Sequence, residues 1–359
     1  MKYPGFFVAF IAFLMFSVAA VAQQTFIISG TVVDENGAPA KSVTVFISGT
    51  KKITATDAEG KFSLSSITPG TFQLSVQMIG YGAQVQNVII KDKNVTVNVA
   101  LKVKATELRE VVIGPDRWEE RYAIFKRQFL GTSDNAKECT IINPKVISFS
   151  TNKKKLMADA DEFLIIENKR LGYRIRYLLK AFEYEDAVTK YDGETSFEEL
   201  EGTESEKKRW AKNRLQAYEG SMMQFLRSVY HNTAKQDGFV VRALHTSEIS
   251  GSLMLSADPV TFDSLARGTD TTFISLRHKT LYIQHIKGDE NKVTEESYKL
   301  KVTDIYKNKG SLLSLNLPEA LIDSKGAYTD YRTFMIQGLW ASMRIGDQLP
   351  FEYQPPLKN

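Results

Sequence analysis

The feature that most constrains the fold is a series of short apolar segments between Gln24 and Leu101, each ending in residues that favour turns. Apolar and polar residues alternate within the segments, as in strands that bury one face. Turn sequences rich in Gly, Pro and Asp separate them. This pattern predicts an all-β sandwich. The predicted strands are Phe26–Val33, Val43–Ile47, Ile53–Thr56, Phe62–Leu64, Phe72–Met78, Val85–Ile90 and Val95–Leu101.

Several motifs in this region fall in a familiar order. They are Gly30-Thr31-Val32-Val33-Asp34, Gly37-Ala38-Pro39, Val43-Thr44-Val45, the segment from Thr56 to Phe62, and Ile79-Gly80-Tyr81. On these motifs, residues 23–101 resemble the carboxypeptidase-regulatory-like domain, a transthyretin-like β-sandwich common in exported proteins of Bacteroidota-type bacteria. The resemblance implies a sandwich without catalytic residues of its own. We therefore interpret the motifs as determinants of the fold.

Residues 1–22 have the features of a secretory signal peptide. Lys2 is a basic start, Phe6–Phe16 is an unbroken apolar run, and Ala20-Val21-Ala22 is a small-residue cleavage site. The apolar run is shorter than the ~20 residues that a membrane-spanning helix needs. We expect an exported protein, located in the periplasm or associated with the outer membrane, with no transmembrane span in the mature chain.

Composition narrows the functional classes. A hydrophobic fraction of 43% with 25% charged residues is ordinary for globular proteins. The net charge of +4 over 359 residues does not indicate a nucleic-acid-binding surface. Cys139 is the only cysteine, so no intramolecular disulfide is possible and we expect this thiol to be a small buried apolar group.

Residues 102–115 are predicted to be a linker between the sandwich and the rest of the chain. Within them, Leu108–Gly114 is a short apolar segment that resembles the peptide following the same sandwich in TonB-dependent outer-membrane receptors. The resemblance implies an added strand on a partner. The alternative, that the segment pairs within its own chain, stays open.

Residues 116–359 are predicted to form a larger α+β domain with a mainly antiparallel sheet, because strands occur in runs with helices between them. This region also resembles the uncharacterised companion domain that follows the sandwich in Bacteroidota proteins, on motifs such as Leu171–Tyr177 and Asn213–Ser221. That resemblance implies no activity. The predicted helices are Asp116–Leu130 with Asp116 as N-cap and Gly131 as its stop, Glu204–Tyr230 interrupted at Gly220, and one near Pro259–Ala266. The predicted strands are Cys139–Ile142, Val146–Ser150, Lys155–Met157, Phe163–Glu167, Tyr173–Tyr184, Phe239–Leu244, Thr272–Leu276, Leu281–Ile286, Tyr298–Val302 and Leu312–Leu315, and we expect a break or bend within Tyr173–Tyr184.

One pattern has the form of a metal site. His245 and Glu248 stand in a His-x-x-Glu arrangement, which is half of the zinc site of carboxypeptidases, and His278 or His285 would have to supply the third ligand. Both lie much closer in sequence than that family's third ligand. We keep His245, Glu248 and His285 as an alternative metal set only.

Other candidate chemistry is weaker still. Ser133-Asp134-Asn135 spells one motif of penicillin-binding enzymes, but the chain contains no Lys-Thr-Gly. The acidic groups Glu183–Asp186 and Glu198–Glu201 could form a glycosidase pair. The aromatic residues of the strand at Tyr173–Tyr184 could stack on sugar rings.

We therefore expect no catalytic residues and no cofactor. The predicted function is that of a non-enzymatic exported protein acting through contacts with cell-envelope proteins or glycans. The alternatives are a zinc-dependent carboxypeptidase-like or glycan hydrolase, and a carbohydrate-binding or TonB-system accessory protein.

Overall fold

The structure is a computed structural model that describes residues 24–104, 117–246, 253–262, 273–276, 280–286, 310–328 and 330–356. The predicted signal peptide, the segment Leu108–Gly114, the strand Tyr298–Val302, and residues Glu248 and His278 lie outside the described residues.

The amino-terminal region is the predicted β-sandwich. One sheet has the order β4-β1-β8, with β9 also pairing with β1, and the other has the order β3-β2-β5-β7. Ile28, Val45 and Leu74 are fully buried between the sheets, because alternate residues of each strand face inward. The strands are β1 (Phe26–Val33), β2 (Thr44–Ile47), β3 (Ile53–Ala55), β4 (Lys61–Ile67), β5 (Gly70–Gln77), β6 (Tyr81–Gly82), β7 (Gln84–Ile90), β8 (Val95–Thr96), β9 (Val99–Ala100) and β10 (Lys102–Val103).

The sandwich continues slightly beyond its predicted end. Strand β10 falls in the predicted linker and pairs antiparallel with β6. Lys104, the next residue, forms an ion pair with Asp161 of the following unit. The start of the predicted linker is therefore held against the folded chain.

A second unit is built on a six-stranded antiparallel sheet. Its order is β11-β14-β15-β13-β12, and β16 pairs along the other edge of β15. Helix α1 buries Phe125 and Phe129 against one face of this sheet. The elements are α1 (Trp118–Leu130), α2 (Asp134–Lys137), β11 (Cys139–Ile141), β12 (Ile147–Asn152), β13 (Lys155–Ala160), β14 (Leu164–Asn168), β15 (Tyr173–Glu185) and β16 (Val188–Glu199).

Two details of this unit differ from the sequence predictions and two agree with them. Arg117, rather than Asp116, precedes α1, and it makes no side-chain capping bond. Strand β16 was not predicted. The bend predicted in β15 appears as a break in register between Leu179 and Ala181. Gly131 ends α1 as predicted, with a φ of 97°.

The long helix predicted over Glu204–Tyr230 is two helices, α3 (Glu204–Tyr218) and α4 (Met222–His231). Thr203 and Glu206 form a complete capping box at the start of α3. Gly220 lies between the helices with a φ of +76°, and Ser221 caps α4 through the amide of Gln224. The predicted interruption thus separates two helices.

A third apolar core lies in the carboxyl-terminal part. Its sheet has the order β18-β17-β20-β21-β23, and the buried side of α4 packs against it. Pro259 ends β18 and residues 260–262 are not helical, so the helix predicted near Pro259–Ala266 does not begin at Pro259. Residues 263–266 lie outside the described residues. The elements are β17 (Phe239–Thr246), β18 (Leu253–Pro259), β19 (Phe273–Leu276), β20 (Thr280–His285), β21 (Ser311–Leu315), β22 (Ala320–Asp323), β23 (Phe334–Gly338) and α5 (Leu339–Ser342). All described strand pairs after residue 117 are antiparallel, which confirms the predicted fold class.

The junction at Gly220 yields a test of this packing. We expect Gly220→Ala to lower the free energy of unfolding by more than Gly37→Ala. Both glycines have positive φ, which costs ~1–2 kcal/mol for an alanine. A Cβ at position 220 would also lie 2.9 Å from Nδ1 of His285, whereas nothing lies within 4 Å at position 37. Urea unfolding of the two variants would measure the difference, and equal costs would contradict the packing described.

Candidate functional site

The sandwich is joined to the second unit through the turn between β2 and β3. The amide of Gly49 donates to the carbonyl oxygen of Thr195 at 2.7 Å, and the amide of Phe197 donates to the carbonyl oxygen of Thr50 at 2.9 Å. These bonds form a parallel bridge between Thr50 and Ser196. The turn is therefore added to the free edge of β16.

The carboxyl-terminal segment covers the other side of this turn. The amide of Phe351 donates to the carbonyl oxygen of Gly49 at 2.8 Å, and the Phe351 ring occupies the place where a Gly49 side chain would lie. The amide of Lys51 donates to Oε1 of Glu352 at 3.0 Å. The turn is thus enclosed by backbone contacts from two distant parts of the chain.

Arg227 of α4 holds this carboxyl-terminal segment in place. Its guanidinium donates to the carbonyl oxygens of Phe351 and Tyr353 at 3.2 and 2.9 Å, and to that of Lys325 at 3.0 Å. Arginine suits this role because its planar group presents several donors in a fixed geometry. The position of the sandwich is therefore coupled to the third core.

The two sheets also meet face to face. Phe46 is fully buried, although it is not part of the sandwich core, and its ring lies 5.6 Å from that of Phe163 in an edge-to-face contact. Beside it, Nε2 of Gln77 donates to the carbonyl oxygen of Asp161 at 3.3 Å. The outer face of sheet β3-β2-β5-β7 therefore packs on the sheet of the second unit.

A cleft of about 640 Å³ opens next to this contact. Its geometry follows from the parallel bridge at Thr50 and Ser196. The bridge holds the turn before β3 against the edge of β16, and the cleft lies between β3 and residues of β14, β15 and the end of β16. Its lining residues are Thr44, Lys51, Ile53, Thr54, Ala55, Phe163, Ile165, Arg176, Phe197, Glu198 and Glu199.

The charged side chains of the cleft are paired with one another. Arg176 and Glu198 are 2.7 Å apart, and Lys51 and Glu199 are 3.1 Å apart. Arg214 also contacts Glu199 at 3.2 Å. The pKa of Glu199 lies below its usual value. Partial burial alone would raise this pKa, but the hydrogen bond from Lys51 and the charge of Arg214 lower it by more. The lining is therefore charge-balanced.

Lys325 occupies a separate position in the same interface. Its ammonium lies 3.5 Å from the centre of the Phe72 ring of the sandwich. Burial lowers the pKa of Lys325 to about 8, because the nearby carboxylates of Asp323 and Glu352 offset the desolvation only in part. Its Nζ is buried and makes no hydrogen bond within the described residues. An amine of this kind weakens the folded state when it is protonated.

The structure separates the histidines of the alternative metal set. His285 lies opposite Phe239 in the pairing of β17 with β20, whereas His245 lies six residues further along β17. This places the two residues ~20 Å apart along the strand, so they cannot bind one ion. Glu248 lies outside the described residues. Across the described ranges, no group of three or more His, Cys, Asp or Glu side chains could hold a metal ion.

The acidic groups proposed as a glycosidase pair are also far apart. Glu198 lies opposite Arg174 on β15, and Glu183 is nine residues further along that strand. The separation is roughly 30 Å, well beyond the 5–10 Å or so that such enzymes use. Glu183 instead lies 3.2 Å from Lys155. These carboxylates form ion pairs on the sheet.

The remaining candidates have structural roles. Ser133 caps α2 by accepting from the amide of Ala136, and it donates to Asp347 at 2.6 Å. Tyr173 and Tyr177 lie in the core, so they offer no surface for sugar rings. Cys139 is buried as expected, and burial raises its thiol pKa to about 12. Of the cleft residues, sequence reasoning singled out only Glu198 and Glu199, as part of the acidic group Glu198–Glu201, and assigned them another role. The alternation of Arg174 and Arg176 with apolar residues marked the same sheet face.

Comparison with known proteins supports the assignment of the sandwich. Residues 28–113 match the CarboxypepD_reg-like domain, so the predicted resemblance is confirmed for this part of the chain. The chain is also 38% identical over 109 residues to TonB-dependent receptor P39 of Formosa agariphila. That match covers 29% of this chain and only 10% of the receptor.

Similarity to experimentally determined structures is low. A 3-chlorocatechol 1,2-dioxygenase from Rhodococcus opacus 1CP matches with 14% identity and a TM-score of 0.20, over 23% of this chain and 61% of that one. A type II cohesin–X-dockerin complex from Acetivibrio cellulolyticus matches with 19% identity and a TM-score of 0.21, over 31% and 79%. Scores at this level carry no functional conclusion. Among the described helices, none has the length and apolar character to cross a membrane.

The contact between Gly49 and Phe351 predicts how the sandwich can be released. We expect Gly49→Ala to undock it, because a Cβ there would lie 2.2 Å from the Phe351 ring and the φ is +75°. Limited proteolysis after residue 104 should accelerate, whereas Gly80→Ala, with nothing within 4 Å, should behave like the wild type. Adding Phe351→Ala to Gly49→Ala should restore part of the protection. Unchanged proteolysis of Gly49→Ala would contradict this docking.

The buried amine of Lys325 predicts a pH dependence. An unfolded lysine has a pKa near 10.5 and the folded one about 8, so the unfolded state binds more protons between these pH values. The contribution of Lys325 to the free energy of unfolding should therefore rise as the pH increases from about 8 to about 10.5. We expect Lys325→Met to raise the melting temperature at pH 7 and to lose this advantage near pH 10.5. Exposed Lys61→Met serves as the control, and a destabilised Lys325→Met protein at pH 7 would refute the prediction.

Proposed function

We propose that this protein is exported to the bacterial cell envelope and acts there by binding a protein partner rather than by catalysis. The observation that carries the proposal is the cleft between β3 and the end of β16, which is formed only while the sandwich is docked on the second unit. The similarity to part of a TonB-dependent receptor supports an envelope setting. The signal-like residues 1–22 support export.

The chemistry of the cleft suits binding. Its charged groups are held in the pairs Arg176–Glu198 and Lys51–Glu199, and its apolar part is lined by Phe163, Ile165 and Ile53. Paired charges beside an apolar wall favour recognition of a surface or segment, as in the partly polar interfaces of protein complexes. We also propose that the sandwich, which extends through β10, and residues 116–359 act as two connected domains.

The test is crosslinking in the envelope. The tagged full-length chain is expressed in a Bacteroidota host, the cells are crosslinked, and the membrane and periplasmic fractions are purified by the tag. We expect repeated recovery of the same envelope protein, with loss of that partner in Gly49→Ala and retention in Gly80→Ala. Recovery of the protein alone in repeated experiments, or its presence only in the cytoplasm, would contradict the proposal.

A further inference from the structure

We infer that the cleft binds an extended, uncharged segment of a protein partner as a strand added to the edge of β3. The inference deepens the proposed contact function and rests on it. Three features of the molecule carry it: the direction of the backbone groups of β3, the composition of that strand, and the charge balance of the cleft.

The backbone groups follow from the register between β2 and β3. Thr54 lies opposite Val45, and its neighbours Ile53 and Ala55 lie opposite Phe46 and Thr44. On either side, Ile47 donates to Lys52 at 2.9 Å and Thr56 donates to Val43 at 3.0 Å. Antiparallel partners alternate between hydrogen-bonded and non-hydrogen-bonded pairs. Thr54 therefore bonds to β2, whereas the amides and carbonyls of Ile53 and Ala55 point away from it.

The strand that carries these outward groups lines the cleft. Ile53 and Ala55 both line it, and β3 is the terminal strand of its sheet, with no other strand on that side among the described residues. Ile53 and Ala55 each offer one N–H donor and one C=O acceptor. The two residues are ~6.8 Å apart along the strand, which is also the repeat of the hydrogen-bonding groups on one side of an extended peptide. An extended peptide therefore matches this edge better than a ligand without a repeating backbone.

The composition of β3 leaves this edge open. Exposed edge strands are usually protected by being very short, by Lys or other charged side chains, by Pro or by bulges. Strand β3 has three residues, so its edge can pair only with a short segment. The sequence Ile53-Thr54-Ala55 has no Pro and no charge, and its pairing with β2 is regular. The adjacent interface is itself formed by strand addition, since Thr50 pairs in parallel with the edge of β16. The proposed site continues that interface.

The charge balance determines the kind of segment. On the sheet face opposite β3, Arg176 pairs with Glu198 at 2.7 Å and Arg174 pairs with Glu167 at 2.7 Å. A charged peptide residue would gain no net attraction from these groups and would have to break a pair. Apolar and small polar side chains would instead pack on Phe163 and Ile165. We therefore expect a β-prone segment without charges.

The test uses the mature full-length chain and a defined probe. The probe is a labelled, terminally blocked peptide Thr-Val-Ser-Val-Thr, and binding is measured by fluorescence anisotropy. Ala55→Pro removes an outward amide and leaves the bonds to β2 intact, so it should raise the Kd at least tenfold. Ala55→Ser keeps the amide and should change the Kd less than threefold. Hydrogen exchange should show protection of the Ile53 and Ala55 amides only when the peptide is bound.

Several outcomes of these experiments would overturn the inference. Absence of saturable binding to the wild type, or equal binding by Ala55→Pro with an unchanged melting temperature, overturns the inference. If the wild type dimerises in sedimentation and Ala55→Pro does not, a second copy of the chain occupies the edge and the peptide proposal is wrong. If an envelope partner is still crosslinked to Ala55→Pro, the contact function stands and this site is wrong. Peptide binding without any envelope partner would instead refute the contact function.

Discussion

The arrangement of this molecule depends on one turn of the sandwich that is enclosed on both sides. Gly49 and Thr50 form two backbone hydrogen bonds with the edge of β16, and Gly49 accepts a third from the amide of Phe351. The fit requires glycine, since the φ of +75° and the Phe351 ring leave no place for a side chain. Arg227 then secures the Phe351 segment from the third core. Each of the three cores is thereby positioned by contacts that pass through residues 49–51.

The interface between the sandwich and the second unit fixes their relative position but contains buried polar groups that oppose tight binding. Ser75 and Ser196 are fully buried polar residues, and their hydroxyl oxygens have no hydrogen-bond partner in the described part of the chain. Such groups cost roughly 1–3 kcal/mol each when they lose water. One apolar contribution at this interface comes from the contact between Phe46 and Phe163. An interface of this composition resembles those between separable domains.

The fold was predictable where local patterns dominate. Period-two alternation identified the sandwich strands, and Gly131 and Gly220 marked the true ends of helices. Strand β16 was not predictable in this way, because its sequence from Val188 to Glu199 is mostly polar and forms a strand only by pairing along β15. The cleft was not predictable either, since its lining joins residues 44–55 to residues 163–199. The His-x-x-Glu pattern predicted a metal site that required His285 to lie near His245. The pairing of β17 with β20 places these two residues far apart along the strands, which the sequence alone does not reveal.

The same turn explains why one edge is closed and its neighbour is open. A parallel pairing begins at Thr50 and Ser196, but β3 must return to pair with β2, so it cannot follow β16 further. Lys51, the residue after this bridge, contacts Glu199 at the end of β16. The backbone groups of Ile53 and Ala55 point away from β2 and have no strand partner among the described residues. Closing the edge of β16 with a turn, instead of a full strand, is therefore what creates both the cleft and the unpaired edge of β3.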